Sequence, residues 1–317
     1  MNADDGAGAI PPTPDTDSAT QPEVGSQASL PKKTPMFQAI NAGRYHRQEQ
    51  IKQIQQTEDT TLICYISGAA NLIDRDDVLG FGDLLHNISP GENLDLMLHT
   101  PGGDIDAAEK LISMVRARVK HGRLRVIVPD FAKSAGTLMA LGADMILMSD
   151  TSELGPIDPQ ITLGDAHGNL VRHSVQAYLD AYETYAEMLR QNPRDAAAAT
   201  MFSKFDPAFV KLCRAACDRA LKFAETQLQT GMFRFGNPGN FTQIASELMD
   251  TKKWLSHGQM IGCSDAQQMG LNVEYLDPDS DRWQSYWRLY TLQRLTVGDK
   301  QKLFESDYAS LPFDAHS

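Results

Sequence analysis

The segment "LMLHTPGGDIDAAEKLISMV", Leu96 to Val115, carries the most information about the architecture of the chain. An apolar run ends at Thr100-Pro101-Gly102-Gly103, and apolar residues at helical spacing follow at once. A short run cut by Pro-Gly-Gly and continued with that spacing reads as a strand feeding a helix. Two glycines at such a junction leave backbone N–H groups uncovered by side chains. The start of a helix adds its dipole, so the turn suits a negative oxygen. A second stretch of the same kind, "FAKSAGTLMALGADMILM", runs from Phe131 to Met148. Here Ser134 follows a strand and opens a helix, with Ala132, Ala135 and Gly136 around it. A tight turn with small neighbours exposes a serine hydroxyl, and the N–H of the next residue can serve the same oxyanion.

On either side of these turns, "TLICYIS" (Thr61–Ser67), "NLDLMLHT" (Asn93–Thr100), "LRVIVPD" (Leu124–Asp130) and "MILM" (Met145–Met148) read as buried strands. Between them, "IDRDDVLGFGDLLHNI" (Ile73–Ile88, with Asp74 as N-cap), Gly103–His121 and Ser134–Gly142 read as helices. Strands alternating with helices predict an α/β fold with a mostly parallel sheet. Ligands of such sheets sit beyond the carboxyl ends of the strands, so both turns should open on one sheet edge.

Past Gly155 the pattern changes. "GDAHGN", Gly164 to Asn169, reads as a turn between two extended pieces. Helical patterns cover Ser174–Arg190, Pro207–Gln229 and Thr242–Met249, and "DAQQMGLNVEYL" reads as a helix stopped by Gly270, then a strand. From Asp279 a mostly helical tail is expected. The implied organisation is a disordered segment over residues 1–35, an α/β domain over 36–278 and a helical tail over 279–317.

The 317-residue chain is 42% hydrophobic, enough for one sizeable α/β domain with extensions or for two small domains. Its formal net charge of −12 argues against nucleic acid or an anionic membrane as the main partner. Residues 1–35 show no apolar segment of the signal-peptide type, and no run approaches the length of a membrane span. A soluble, intracellular (cytoplasmic) protein is expected. Cys64, Cys213, Cys217 and Cys263 are too scattered for a disulfide framework. Cys213 and Cys217 share a helix face, and without further ligand spacing they read as packing residues.

"TPGGDIDAAEKL", "AKSAGTLMALGADMILM" and "SELGPIDPQI", in that order, resemble the serine dehydrogenase proteinase family. That family lies within the wider group of Clp-type and signal-peptide-peptidase-type serine peptidases. The later "WLSHGQMIGCSDAQQMGLNVEYL" is also similar to it, so the resemblance covers roughly residues 60–276. It implies a ClpP/crotonase-like fold of repeated ββα units, with Ser134 at the nucleophile position. It further implies oxyanion amides at Gly103 and Ala135, with Gly102 shaping the turn, and assembly as a homo-oligomer. No metal or organic cofactor is implied.

The departure from the family pattern lies in the general base. Clp-type peptidases place a histidine where this chain has Asp158, in "GPIDPQI". Signal-peptide-peptidase relatives use a lysine further on, where the matching slot holds His173 after Arg172. Arginine stays charged and cannot act as a base. His173 is therefore the candidate base, Lys133 the second candidate, and Asp158 a candidate orienting carboxylate. Lys204, Lys211 and His99 read as structural or solvated residues, and His257 in "WLSHGQ" has no derivable role.

The expected function is a serine endopeptidase acting on a peptide or protein through an acyl-enzyme on Ser134. Two alternatives stand beside it. One is a non-catalytic ClpP-fold scaffold or binding protein that has lost its base. The other is a crotonase-type acyl-CoA enzyme, from which the serine turn points away. A valine at Gly103 is expected to harm the oxyanion site more than the fold, and one at Gly102 to harm the turn itself.

Overall fold

The computed structural model describes residues 33–164, 168–236 and 240–314. The disorder expected for residues 1–35 concerns residues of which the first 32 lie outside the described part. The chain divides into two units, Met1–Ile40 and Asn41–Ser317. The described part of the first unit is a short helix, α1 (Pro35–Ile40).

The second unit runs through α2 (Ala42–Glu58), β1 (Thr61–Ser67), α3 (Asp77–His86), β2 (Leu94–His99), α4 (Ile105–Val119) and β3 (Leu124–Ile127). It continues through β4 (Phe131–Ala132), α5 (Ala135–Leu141), β5 (Met145–Met148), β6 (Glu153–Leu154), β7 (Gln160–Gly164) and β8 (Leu170–Ser174). Then come α6 (Val175–Gln191), α7 (Ala196–Phe202), α8 (Pro207–Thr230), α9 (Phe241–Leu248), α10 (Cys263–Gln268) and β9 (Val273–Tyr275). The last elements are α11 (Asp281–Arg294), β10 (Gln301–Glu305) and β11 (Ser310–Asp314).

Seven strands form one sheet in the order β11-β10-β1-β2-β3-β5-β9. The run from β1 to β9 is parallel, and β10 and β11 add antiparallel at one side. The fold is α/β with a mostly parallel sheet, as the strand–helix alternation predicts. Successive side chains of β1 go to opposite faces. Ile63 and Tyr65 join a core with Leu84, Leu111 and Val115 of α3 and α4. Leu62, Cys64 and Ile66 join another with Ile51 of α2 and Trp283 and Tyr286 of α11. Burial on both faces is why the strands read as continuous apolar runs.

The C-terminal part differs from the helical tail expected over 279–317. Among the described residues there, only α11 is helical, and the chain then returns to the sheet as β10 and β11. The physical reason is the open side of β1, whose unpaired N–H and C=O groups take β10 as a neighbour. Leu303 and Phe304 of β10 enter the two opposite cores. The segment after 278 is thus part of the layered core, closing one face and one side of the sheet.

Outside the main sheet, β7 and β8 form the antiparallel hairpin expected around "GDAHGN". Its tip, 165–167, lies outside the described residues. A smaller core of Val175, Leu179, Val210 and Cys213 joins α6 to α8.

Candidate active site

The Gly-Gly turn and the serine turn meet. Thr100 N–H donates to the Phe131 carbonyl at 3.0 Å, and Lys133 N–H donates to the Thr100 carbonyl at 3.0 Å. This parallel bridge sets "TPGG" and "AKSAG" side by side, on one sheet edge. Small residues permit the approach: a Cβ on Gly136 would stand 2.5 Å from Thr100 Cγ2, and one on Gly102 2.9 Å from Ser134 Cβ.

Ser134 immediately precedes α5 with φ 52° and ψ −116°. A non-glycine residue with positive φ is costly and persists where its surroundings fix it. Here the Gly136 N–H to Lys133 carbonyl bond (2.7 Å) and the Leu138 N–H to Ser134 carbonyl bond (3.1 Å) close the turn. The hydroxyl is thereby carried on a sharp strand-to-helix elbow.

Gly102 and Gly103 also have positive φ, +101° and +152°. Asp104 caps α4, accepting from the N–H groups of Asp106 (2.7 Å) and Ala107 (3.1 Å). Among the described residues, the N–H groups of Gly103 and Ala135 make no hydrogen bond. They sit at the two neighbouring turns, one from each. The expectation that bulk at Gly103 would spare the fold needs correction. A Cβ there would stand 2.4 Å from both the N and the O of Ile73, whose backbone pairs with Gly102 and Asp104. Both glycines are therefore needed for packing as well as for an open site.

A cavity of about 550 Å³ opens at this place. Gly103, Ser134 and Ala135 line it, with apolar residues such as Leu138 and Leu212. His257 lines it too. The Nδ1 of His257 lies 2.7 Å from Oδ1 of Asp158, which is 2% exposed. Oδ2 of Asp158 accepts from the Gln160 side-chain amide, also at 2.7 Å. A carboxylate at Nδ1 holds a proton there and leaves Nε2 bare to accept another. The chain reaches this point by a long return. An antiparallel bridge between Leu154 and Ile261 brings the segment after α9 back beside β6. The Trp254 indole, 5% exposed, anchors that segment by donating to the Glu247 carbonyl.

The other candidates fall elsewhere. His173 is on β8 opposite Ile161, exposed, and outside the cavity lining. Its neighbour Arg172 does line the cavity, and strand alternation turns His173 the other way. Lys133 does not line the cavity either. Its ammonium donates to the Leu154 carbonyl at 3.1 Å and pairs with Glu153 at 3.0 Å. Asp158 meets the ring of His257, not that of His173. Lys204 and Lys211 are exposed and away from the cavity. His99 is fully buried against Phe131 and Tyr290, and burial, aided by the charge of Arg294, pushes its pKa down to about 3. It stays a neutral core residue. Cys213 packs in the α6–α8 core, and Cys217 lies 3.8 Å from Gln176 Oε1. His257 was legible only as part of "WLSHGQ", since its partner Asp158 is distant in sequence.

Residues 44–175 match the family model of ClpP-like SDH-type serine proteinases. Ser134, both glycines of the turn and Asp158 fall inside that span, and His257 falls outside it. Two uncharacterized proteins of Methanocaldococcus jannaschii are 47% and 41% identical to the chain, each over 68 residues. Each match takes in 22% of this chain and 23% of the relative, so the chain spans about a quarter of the length of these curated relatives. Among solved structures, a mutant of the membrane-bound stomatin-specific protease 1510-N with a substrate peptide is 14% identical, with a TM-score of 0.34. That likeness covers 73% of this chain and 98% of the other. ClpP1 from Listeria monocytogenes is 13% identical with a TM-score of 0.37, over 71% of this chain and 96% of the other. Among the described residues no helix is long and apolar enough to cross a membrane. Over residues 44–175, less than half of its length, the chain is thus similar to the ClpP-like SDH-type serine proteinases.

Proposed function

We propose that the protein is a serine peptidase in which Ser134 is the nucleophile, His257 the general base and Asp158 the carboxylate that orients it. The observation that carries the reading is one cavity shared by Ser134 on its strained elbow and by His257, whose Nδ1 is bound to buried Asp158. The Ser134 hydroxyl attacks a peptide carbonyl carbon while its proton passes to Nε2 of His257. The oxygen that becomes negative is received by the N–H groups of Gly103 and Ala135. Collapse of the intermediate expels the amine, which takes the proton from the imidazolium. Water then hydrolyses the acyl-enzyme, with His257 again removing and returning a proton. Among the described residues the Ser134 hydroxyl makes no hydrogen bond. Catalytic hydrogen bonds of this kind often tighten only when substrate enters.

The reading carries with it a peptide or protein substrate, a cytoplasmic setting and a homo-oligomer. Sedimentation of the 35.0 kDa chain tests the last, with a monomer at micromolar concentration counting against it. The chemistry is tested by a fluorophosphonate probe. Ser134→Ala should lose both labelling and peptide hydrolysis while keeping its circular dichroism. Labelling that persists at another serine overturns the nucleophile, and absence of labelling in the unmodified protein favours the non-catalytic scaffold.

A further inference from the structure

Lys133 adjoins the proposed nucleophile, yet its side chain leaves the cavity and reaches the loop that carries His257. Its Nζ lies 3.1 Å from the Leu154 carbonyl, 3.3 Å from that of Gln259 and 3.4 Å from that of Gly258. Glu153 Oε2 stands at 3.0 Å. An ammonium has three donors, and two of the carbonyls around this one belong to the residues directly after His257. The stem lies over Gly155, where a Cβ would come 2.7 Å from Lys133 Cδ. The bare glycine leaves room for this route.

The loop has few other ties to the elbow. Its own bonds, Gly258 N–H to Ser256 Oγ, Gln259 N–H to the Ser256 carbonyl and Leu255 N–H to Gln259 Oε1, are internal. The Ile261 bridge holds it to β6, and the Asp158 contact holds the imidazole itself. Lys133 joins the backbone beside the imidazole to the backbone beside the hydroxyl.

We infer that Lys133 is a positioning residue, which sets the distance between His257 and Ser134 by tying the 257–259 loop to the nucleophile turn. The inference rests on the assignment of His257 as base. It gives a physical reason for a lysine next to the serine in "AKSAG", one unlike proton transfer. Misplacing a reacting group by about 1 Å can lower a rate by about 10²-fold. Loss of this tie should act on that scale.

The test is a double-mutant cycle read as the rate of fluorophosphonate labelling per folded protein. Lys133→Met keeps the stem and removes the charge. It should slow labelling by about 10²-fold, on the scale of a misplaced group. His257→Ala should slow it further, and the double variant should label no more slowly than His257→Ala alone, because Lys133 acts through His257. The pH profile of Lys133→Met should keep its shape at lower amplitude, since the base itself is unchanged. A profile that loses its inflection makes Lys133 the base and overturns the inference. So do additive losses in the cycle, or a lower melting temperature with an unchanged labelling rate. If Lys133→Met does not fold, Glu153→Gln removes the carboxylate partner instead. It should slow labelling in the same non-additive way, and an unchanged rate there overturns the inference. Failure of the unmodified protein to label at Ser134 would instead sink the peptidase reading, which separates the two outcomes.

Discussion

Replacing Asp158 by asparagine tests the orienting carboxylate with almost no change in volume. Asp158 Oδ2 accepts from the Gln160 side-chain amide at 2.7 Å, and that amide nitrogen also lies 3.4 Å from the Pro159 carbonyl. The nitrogen of Gln160 therefore faces residue 158. An asparagine there would turn its oxygen to Gln160 and its NH₂ to Nδ1 of His257. Nδ1 would then have to accept, the ring proton would move to Nε2, and the base would lose the lone pair that Ser134 needs. The equivalent change in the best-studied serine triads lowers kcat by about 10⁴-fold through the same wrong tautomer, or roughly 5.5 kcal/mol in the barrier. The assay is peptide hydrolysis together with the fluorophosphonate labelling rate, with His173→Ala as a control expected to leave both unchanged. A second change gives the reasoning its sharpest check. Gln160→Glu added to Asp158→Asn offers a carboxylate to the new amide's NH₂, which lets the amide oxygen face Nδ1 again. Activity should recover in part. Asp158→Asn within about 10-fold of the unmodified rate would refute the assignment, because a wrong tautomer cannot be that mild. A double variant no better than the single one would refute the amide-flip argument.

Two further outcomes follow from the packing. Gly103→Ala should destabilise the protein by on the order of 2–4 kcal/mol, because its Cβ would displace Ile73 and its backbone bonds. An unchanged urea midpoint would show that the Ile73 segment yields freely. His99 is held neutral with its pKa near 3, against an ordinary value of 6.5. Between those values the unfolded chain binds a proton that the folded one does not, so stability falls as pH falls. From pH 6 to pH 4.5 this one group should cost about 2 kcal/mol. His99→Phe should flatten that part of the profile in urea titrations, with Tyr290 keeping its hydrogen bond to Asp130 at 2.7 Å. An equal slope in the variant would assign the acid sensitivity elsewhere.

The parallel α/β core was legible in the amino-acid order, because strands covered on both faces leave unbroken apolar runs and the helices between them keep their own period. So were the Gly-Gly turn and the Ser134 elbow. Both are local features, in which a few neighbouring residues dictate backbone shape and the absence of side chains can be read directly. The base was not legible in this way. His173 sits near the elbow in sequence, but strand alternation gives the cavity Arg172 and sends His173 to solvent. His257 lies far along the chain and is brought to Asp158 by the return of its segment beside β6, at the Leu154–Ile261 bridge. The same holds for the last strands: β10 and β11 read as part of a tail until the open side of β1 takes them into the sheet. Side-chain spacing encodes one element at a time. Which distant elements share a cavity or a hydrogen-bonded edge depends on how the layers close, and that exists in the folded molecule alone.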